Sequence, residues 1–336
     1  MKKRVPNLSL YILLIAVVVL MTVLNPVRFP TRRNFFSMAY QLPFLAFLSM
    51  GQMVPMLAGG INLAIIATTN LTGIVTAMLL SWLSGGSSWD ASLFITLVAM
   101  AGGVLAALAV GALNGFLIGH LRIPDMLATL GTMTLVEGIN IVLTRGYTLT
   151  GFPDFLIAIG NDAWGDIPIP FIIFVVLTIL LGVLLNKTSF GYSVYMIGSN
   201  YTASKFSAID TRKVIIKAYM LSSVFAAVTS FIMMGQMNSV KANYAESYLL
   251  VSILACILGA IDPMGGSGRL SGLVVSVLIL QVVSTGVNLL RMDPFFVRAM
   301  WGFIVIVVIA MNHYGQHVKF PLGFHRWKRA EQSVDQ

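Results

Sequence analysis

Apolar runs of about 20 residues, the length of helix that crosses a bilayer, follow one another along most of this chain. Backbone groups in lipid must be hydrogen-bonded within the protein, and a helix achieves this inside a single segment. The chain is therefore predicted to be an all-α polytopic membrane protein with about ten transmembrane helices, including broken or half-length helices. The predicted spans are 8–24, 41–58, 63–83, 93–119, 126–143, 168–185, 214–235, 248–260, 270–290 and 296–312.

Composition supports the membrane class. Hydrophobic residues make up 57% of the chain and charged residues only 10%, whereas soluble domains carry about 25% charged residues. The formal net charge is +9, but the Lys and Arg residues lie at the ends of apolar runs and not on one basic face. The positive charge is therefore attributed to cytoplasmic loops, and nucleic-acid binding is excluded.

No catalytic or cofactor-binding motif accompanies the apolar runs. The single cysteine, Cys256, lies in an apolar run and cannot form an internal disulfide, and the four histidines have no metal-ligand spacing. The sequence also lacks a P-loop, a GxSxG elbow, an HExxH motif and a carboxylate pair at hydrolytic spacing. We therefore predict no metal, no cofactor and no enzymatic activity in this chain.

The distribution of charge predicts the orientation in the membrane. Basic residues concentrate in segments assigned to the cytoplasm and most acids in segments assigned to the outside, as the positive-inside rule requires. Both termini are then cytoplasmic, with a basic tail over 314–336. Arg28, Arg32 and Arg33 are exceptions, because they fall outside in this topology. Either their segment lies flat on the membrane surface or the first two spans are drawn wrongly.

The longest cytoplasmic interval is 186–217, where a partner protein is expected to bind. Its one acid is Asp210, and its basic residues are Lys187, Lys205, Arg212, Lys213 and Lys217. The sequence Gly198-Ser-Asn200 can end one helix and cap the next, so a short helix is predicted over 201–209. The residues predicted to share one face of this helix are Ala203, Phe206, Ser207 and Ile209.

Polar side chains inside the apolar runs give the remaining functional signal. Such groups are costly in lipid and usually face the bundle interior or a water-filled path. They fit either hydrogen bonds between helices or, taken together, a path for an uncharged polar solute. The predicted path residues are Gln52, Gly60, Asn62, Asn70, Asn114, Thr129, Gln281 and Asn288.

An ion-coupled secondary transporter is the less favoured alternative. Such a protein would show inverted repeats and an ionisable residue for coupling. Glu137 is the only acid well inside an apolar run, and Arg145 follows eight residues later. We expect these two residues to form a structural ion pair at the outer end of their helix and not a proton relay.

Glycines predict both close helix packing and one break. The fourth apolar run has small-xxx-small spacing, which is typical of helices that approach closely, at Gly102-Gly103, Gly111, Gly115 and Gly119. Gly59-Gly60 interrupts the apolar pattern near membrane depth, where irregular backbone is tolerated only if it is buried in protein or lines a cavity. The backbone there is expected to need conformations open to glycine. A plain turn between helices is the alternative.

A series of short motifs, in order along about residues 35–312, resembles the permease subunits of bacterial ribose-type sugar ABC importers. The motifs are Gly60-Ile-Asn-Leu-Ala64, Asn70-Leu-Thr-Gly73, Asn114-Gly115, Ile123-Pro-Asp-Met-Leu-Ala-Thr129-Leu-Gly131-Thr-Met133, Lys187-Thr-Ser-Phe-Gly191, Ile197-Gly-Ser-Asn-Tyr-Thr-Ala203, Leu258-Gly259 and Gly265-Gly-Ser-Gly-Arg269. The resemblance implies a single transmembrane permease domain over 1–336 in the bacterial inner membrane.

The resemblance also implies partners. These are a second permease subunit (the same chain or a homologue), a cytoplasmic ATP-binding subunit with two nucleotide-binding domains, and a periplasmic solute-binding protein. ATP hydrolysis would then occur in another chain, and membrane lipid would surround this one. A cytoplasmic coupling segment is implied over 187–213, and its contact residues would be Ser199, Asn200, Thr202, Ala203, Ser204, Phe206, Ser207 and Ile209.

Two positions depart from the family pattern. This chain has Asn62 where the family usually has Asp, and Ala260 where the family favours Gly. These departures are compatible with a permease pair of two different chains. The solute implied is a sugar or sugar-like neutral polyhydroxy compound, and the alternatives are autoinducer-2, a polyol or a nucleoside.

Overall fold

The computed structural model describes residues 8–86, 91–293, 296–297, 299–304 and 306. Its helices are α1 (Leu8–Leu24), α2 (Arg32–Leu57), α3 (Ile65–Leu83), α4 (Leu93–Gly119), α5 (Asp125–Thr144), α6 (Asp154–Asn161), α7 (Ile169–Lys187), α8 (Ser189–Ser199), α9 (Tyr201–Phe206), α10 (Thr211–Met237), α11 (Tyr248–Leu258) and α12 (Leu270–Leu289). Two antiparallel pairs of short strands join β1 (Leu149–Thr150) to β4 (Ser239–Val240) and β2 (Ala163–Trp164) to β3 (Ile167–Pro168). The predicted tail, 314–336, lies outside the described residues.

The helices confirm a polytopic membrane protein but not a count of ten crossings. Within the described ranges, six helices are long and apolar enough to span a membrane: α3, α4, α5, α7, α10 and α12. Two further apolar helices, α1 and α11, are shorter, with 17 and 11 residues. At 11 residues, α11 has the half length that the sequence predicted for some of the helices.

Helix α2 begins at Arg32, earlier than its predicted start at 41, because a polar cap precedes it. The Thr31 hydroxyl oxygen accepts a hydrogen bond from the backbone N–H of Asn34 at 3.3 Å, which satisfies a free N–H of the first turn. Arg32 then forms an ion pair with Asp166, between β2 and β3, at 2.6 Å. The arginine segment therefore lies at the same end of the molecule as the turn between β2 and β3.

The core forms around α2 and α10. Every residue of α2 from Leu42 to Leu57 is buried, and α10 packs against α2, α3 and α4. The buried side chains include Phe47, Leu48 and Met53 of α2. A helix that is apolar and covered on all sides is an interior helix of the bundle. The polar segment that directly follows α2 therefore starts inside the protein and not at its lipid-facing surface.

The small-residue spacing of α4 does produce close packing. A Cβ atom on Gly111 would lie 2.5 Å from Ser223 Oγ, and one on Gly115 would lie 2.5 Å from Ile216 Cα. On its other side, a Cβ on Gly103 would lie 2.8 Å from the carbonyl oxygen of Thr72. Helix α4 therefore lies directly against the backbones of α10 and α3, as the spacing predicted.

The predicted ion pair between Glu137 and Arg145 is wrong. Neither residue belongs to the ion pairs found among the described residues, Arg32–Asp166 and Lys213–Asp210. Eight residues of helix separate the two positions along the axis by about 12 Å. Arg145 also ends α5 in a left-handed conformation, with φ of 51°, and is exposed there, whereas Glu137 is half-buried more than two turns earlier.

Candidate translocation path and coupling segment

A short irregular segment, residues 58–64, separates α2 from α3, and we refer to it as the break. Gly59 has φ of +90°, a left-handed conformation that favours glycine. The N–H of Ile61 donates to Asp125 Oδ2 at 2.6 Å, and the Thr129 hydroxyl donates to the carbonyl oxygen of Ile61 at 3.1 Å. The first turn of α5 thus satisfies backbone groups of the break.

Gly60 serves a different purpose from the one predicted. Its φ is not in the left-handed region, but a Cβ atom at this position would lie 2.6 Å from Tyr219 Oη. The absence of a side chain at Gly60 therefore makes room for the buried Tyr219 of α10. Conformational freedom is needed at Gly59, and space is needed at Gly60.

Asn62 holds the break to the helices on both sides. Its side chain is only 1% exposed, its Oδ1 accepts from the N–H of Ala64 at 3.1 Å, and its Nδ2 donates to Ser222 Oγ of α10 at 2.9 Å. Gln52 of α2 is fully buried beside it. With its amide oriented so that both atoms are paired, Gln52 donates to the carbonyl oxygen of Asn62 at 3.0 Å and accepts from its N–H at 3.2 Å.

The amides farther along the helices are only partly paired. Asn70 Nδ2 donates to the carbonyl oxygens of Ala242 and Tyr244 at 2.9 and 3.0 Å, so it holds the loop after β4 against α3. Asn70 and Asn114 each have a buried Oδ1 with no hydrogen-bond partner among the described residues. Buried polar atoms are normally paired, so these oxygens can accept a hydrogen bond from water or solute.

The predicted path residues do not all meet in one place. Gln281 of α12 donates to Gln41 Oε1 and to Thr285 Oγ1, each at 3.2 Å, which is the pattern of a hydrogen bond between helices. Asn288 is exposed near the end of α12. The residues that converge at the break are Gln52, Gly60, Asn62 and Thr129.

The 187–213 segment folds as α8, α9 and the start of α10. Asn200 Oδ1 accepts from the N–H of Ala203 at 2.9 Å, so the predicted cap of the second helix is present. Helix α9 ends at Phe206 and not at 209, because Ala208 has a positive φ of 59°. Its exposed side chains are Thr202, Ala203, Lys205 and Phe206, followed by Ser207.

Two members of the predicted coupling set lie at opposite extremes of exposure. Ser204 is fully buried, and its hydroxyl donates to the carbonyl oxygen of Asn200 at 2.8 Å. Ser204 therefore lies on the buried side of α9 and is not available to a partner protein. Phe206 is 86% exposed, which is unusual for an aromatic side chain outside the lipid-facing helices.

The chain re-enters the bundle at a charged cap. Asp210 Oδ1 accepts from the N–H of Lys213 at 3.2 Å, and Lys213 Nζ lies 3.0 Å from Asp210 Oδ2. These hydrogen bonds from Lys213 lower the pKa of the Asp210 carboxyl group below its usual value. Asp210 is therefore ionised at neutral pH and fixes the start of α10.

Four glycines, Gly59, Gly198, Gly265 and Gly266, bring three segments together, and we name this contact the glycine junction. The N–H of Gly266 donates to the carbonyl oxygen of Leu57, the last residue of α2, at 2.9 Å. A Cβ on Gly198 would overlap that same carbonyl oxygen and the backbone nitrogen of Gly266, and one on Gly265 would lie 2.7 Å from Gly59 Cα. The break, the end of α8 and the 261–269 loop are therefore packed backbone against backbone.

Comparison with known proteins assigns the chain. A protein family described as "Branched-chain amino acid transport system / permease component" matches residues 34–310. The chain belongs to this permease family. The ribose import permease protein RbsC of Bacillus subtilis strain 168 is 31% identical over 318 residues, which cover 93% of each chain. The L-arabinose transport system permease protein AraH of Escherichia coli K12 is 27% identical, over 87% of this chain and 86% of its own length.

A third relative, the D-allose transport system permease protein AlsC of Escherichia coli K12, is 27% identical over 90% of each chain. No solved structure matches. The permease family that the short motifs predicted is therefore confirmed. Several of those motifs converge in the fold, since the break, the 123–133 segment and the glycine junction adjoin one another.

The permease also uses residues that the sequence did not single out. Asp125 holds the break through Ile61, but in the sequence it is only an acid at the start of a helix, where it suits the helix dipole. Tyr219 and Ser222 contact Gly60 and Asn62 from α10. Both lie in an apolar run, and only the hydroxyl groups signalled a polar contact.

Proposed function

We propose that the permease is the transmembrane subunit of an ATP-driven importer that translocates a sugar or sugar-like neutral polyhydroxy solute. The observation that carries the proposal is the similarity, over almost the whole chain, to permeases named for ribose, L-arabinose and D-allose. The buried amide oxygens of Asn70 and Asn114 support it, because they have no hydrogen-bond partner among the described residues and can accept from successive solute hydroxyls without fixing a charge.

The proposal places the chain in the bacterial inner membrane with about ten crossings and both termini in the cytoplasm. It assigns ATP hydrolysis to a separate subunit with two nucleotide-binding domains, which binds the 187–213 segment. A second permease copy or homologue completes the membrane unit, and a periplasmic protein delivers the solute. The exposed surface of α9 supports this arrangement, since a partner can pack directly on Ala203, Phe206 and Ser207.

Solute-stimulated ATP hydrolysis by the assembled complex tests the function. The permease is co-purified with its partner ATPase and its solute-binding protein and reconstituted in proteoliposomes. The solutes are D-ribose, L-arabinose, D-allose, ribitol, uridine, autoinducer-2 and L-leucine. We expect stimulation by a sugar. Stimulation by L-leucine alone would contradict the proposal, and stimulation by ribitol, uridine or autoinducer-2 would select that neutral solute instead.

Substitutions at Asn62 are expected to distinguish the loss of its hydrogen bonds from the effect of a negative charge at this position. Asn62→Leu leaves the buried Ala64 N–H without its acceptor, at a cost of about 1 to 3 kcal/mol, and uptake is expected to fail. Asn62→Asp keeps an oxygen for Ala64 and can accept from the Ser222 hydroxyl, so most uptake is expected to remain. Uptake and complex yield are measured for both variants.

For each Asn62 variant, a result opposite to the expected one has a definite meaning. Wild-type uptake by Asn62→Leu would exclude any polar role for this position. Failure of Asn62→Asp with normal expression would instead indicate that the partner permease supplies an acid across the dimer axis, since a second carboxylate there would repel the first.

A further inference from the structure

A cavity of about 410 Å³ opens between the break and the coupling segment. Gly59 and Gly60 form one wall, the 122–125 loop forms a second, and Ser199, Asn200 and Tyr201 form a third. Tyr219 and Ile215 of α10 close it on the side of the bundle. Its volume lies within the range of about 300 to 1,000 Å³ that is typical of small-molecule sites.

The Tyr219 hydroxyl is the observation that points to a ligand. Tyr219 is only 2% exposed, and its Oη is buried with no hydrogen-bond partner among the described residues. The Oη lies next to Gly60, which also lines the cavity. Buried tyrosine hydroxyls normally find a partner, so this one is available to a group that enters the cavity.

The remaining lining fits a neutral polyhydroxy molecule. Arg122 and Asp125 are the only charged residues of the lining, and their charges cancel. Asp125 uses its Oδ2 for the N–H of Ile61, and Ser199 adds a hydroxyl group. An anion would meet the Asp125 carboxylate, whereas solute hydroxyls can donate to it. The apolar part of the lining, which suits the C–H faces of a sugar ring, includes Ile118, Ile123, Ile197, Ile215 and Tyr201.

We propose that this cavity is a cytoplasm-facing subsite in which the translocated neutral polyhydroxy solute is held before release. The Tyr219 hydroxyl and the Asp125 carboxylate hydrogen-bond to solute hydroxyls there. The inference rests on the proposed import function. The subsite is also linked to the glycine junction, because Gly59 and Gly198 belong both to the junction and to opposite walls of the cavity. A movement of the coupling segment against the break changes the shape of the subsite.

Protection of an introduced thiol tests the subsite directly. Met264 is exposed and lines the cavity, it lies outside the segment proposed to bind the ATPase, and Cys256, the one native cysteine, is buried. Met264→Cys is therefore the reactive thiol of the permease in the assembled complex. Its labelling by a small polar thiol reagent is followed with D-ribose, L-arabinose or D-allose added. We expect the sugar that stimulates ATP hydrolysis to slow the labelling.

Tyr219→Phe supplies the matched comparison, because it removes only the hydroxyl oxygen. The sugar concentration for half-protection of Met264→Cys is expected to rise about 2- to 12-fold, the range of one neutral hydrogen bond. Thermal stability without sugar is expected to be unchanged or higher, since the hydroxyl has no partner in the folded protein. His120→Cys, exposed in the loop after α4 and outside the cavity lining, is expected to label without protection.

Three results would overturn the subsite. The first is an equal sugar concentration for half-protection with Tyr219 and with the Tyr219→Phe substitution. The others are protection of His120→Cys to the same degree and protection by inorganic phosphate in place of sugar. A less stable Tyr219→Phe variant with unchanged protection would assign the hydroxyl a structural role. If sugars stimulate hydrolysis but never slow the labelling, only the subsite fails. If none of the sugars and other neutral solutes stimulates hydrolysis, the import function fails with it.

Discussion

Ala203→Glu and Ser207→Glu are each expected to abolish transport and solute-stimulated ATP hydrolysis while the permease remains folded in the membrane. Both side chains are exposed on or directly after α9, so a carboxylate there meets water in the isolated chain. In the assembled importer it would lie unpaired in the contact with the ATPase. A charge that is buried without a partner costs about 3 to 5 kcal/mol. A penalty of this size would weaken binding of the ATPase to the permease at least a hundredfold.

A matched charge outside the coupling segment controls for expression and folding. His120→Glu adds the same carboxylate on an exposed side chain of the neighbouring loop after α4, and normal uptake is expected. Co-purification of the ATPase, sugar uptake and hydrolysis are measured for all three variants. Normal uptake by both the Ala203 and the Ser207 variants would refute the assignment of this surface to the ATPase.

The sequence located the helices well because the length of an apolar run is a local property. The predicted bounds of α1 and α4 are those observed, 8–24 and 93–119. The start of α2 was missed because its first turns contain Arg32, Arg33 and Asn34, and the signal that begins the helix is the Thr31 cap. Where a polar cap begins a helix, hydropathy alone gives a late start.

Part of the site could also be predicted. Gln52 and Asn62 are conspicuous as amides within apolar runs, and both lie at the break. Asp125 and Tyr219 were not predicted, because their roles depend on which segments meet in space. The 122–125 loop and the middle of α10 are distant in sequence from the break, and packing alone brings them to Gly60.

The glycine junction shows the same limit. The Gly198 and Gly265-Gly266 motifs were each visible in the sequence, but nothing local indicated that they contact each other and the end of α2. Their glycines are needed because backbones meet there without room for a Cβ. The sequence indicated a helix end at Gly198 and a motif at Gly265-Gly266, whereas the fold packs both into one backbone contact between the break and the coupling segment.

Gly198→Ala is expected to stop transport by separating the parts of the glycine junction. The new Cβ would overlap the carbonyl oxygen of Leu57 and the nitrogen of Gly266. Both atoms are backbone and cannot rotate away, so the cost belongs at or above the upper end of the range of about 1 to 3 kcal/mol for overpacking. The hydrogen bond from Gly266 to Leu57 would open, and the end of α8 would move away from the break.

Gly182→Ala is the matched control, because it makes the same change in a helix of the same half of the chain. A Cβ at Gly182 in α7 meets only Leu270 Cδ2, at an ordinary 3.5 Å, and Gly→Ala inside a helix stabilises by about 0.5 to 1 kcal/mol. The two variants should therefore shift thermal stability in opposite directions. Basal and sugar-stimulated ATP hydrolysis are measured in each assembled complex. If the junction transmits the movement of the ATPase, Gly198→Ala loses stimulation and uptake while the ATPase still binds to α9. If Gly198→Ala keeps normal stimulation and uptake, the junction has no part in coupling, and α9 must act on the path through α10 alone.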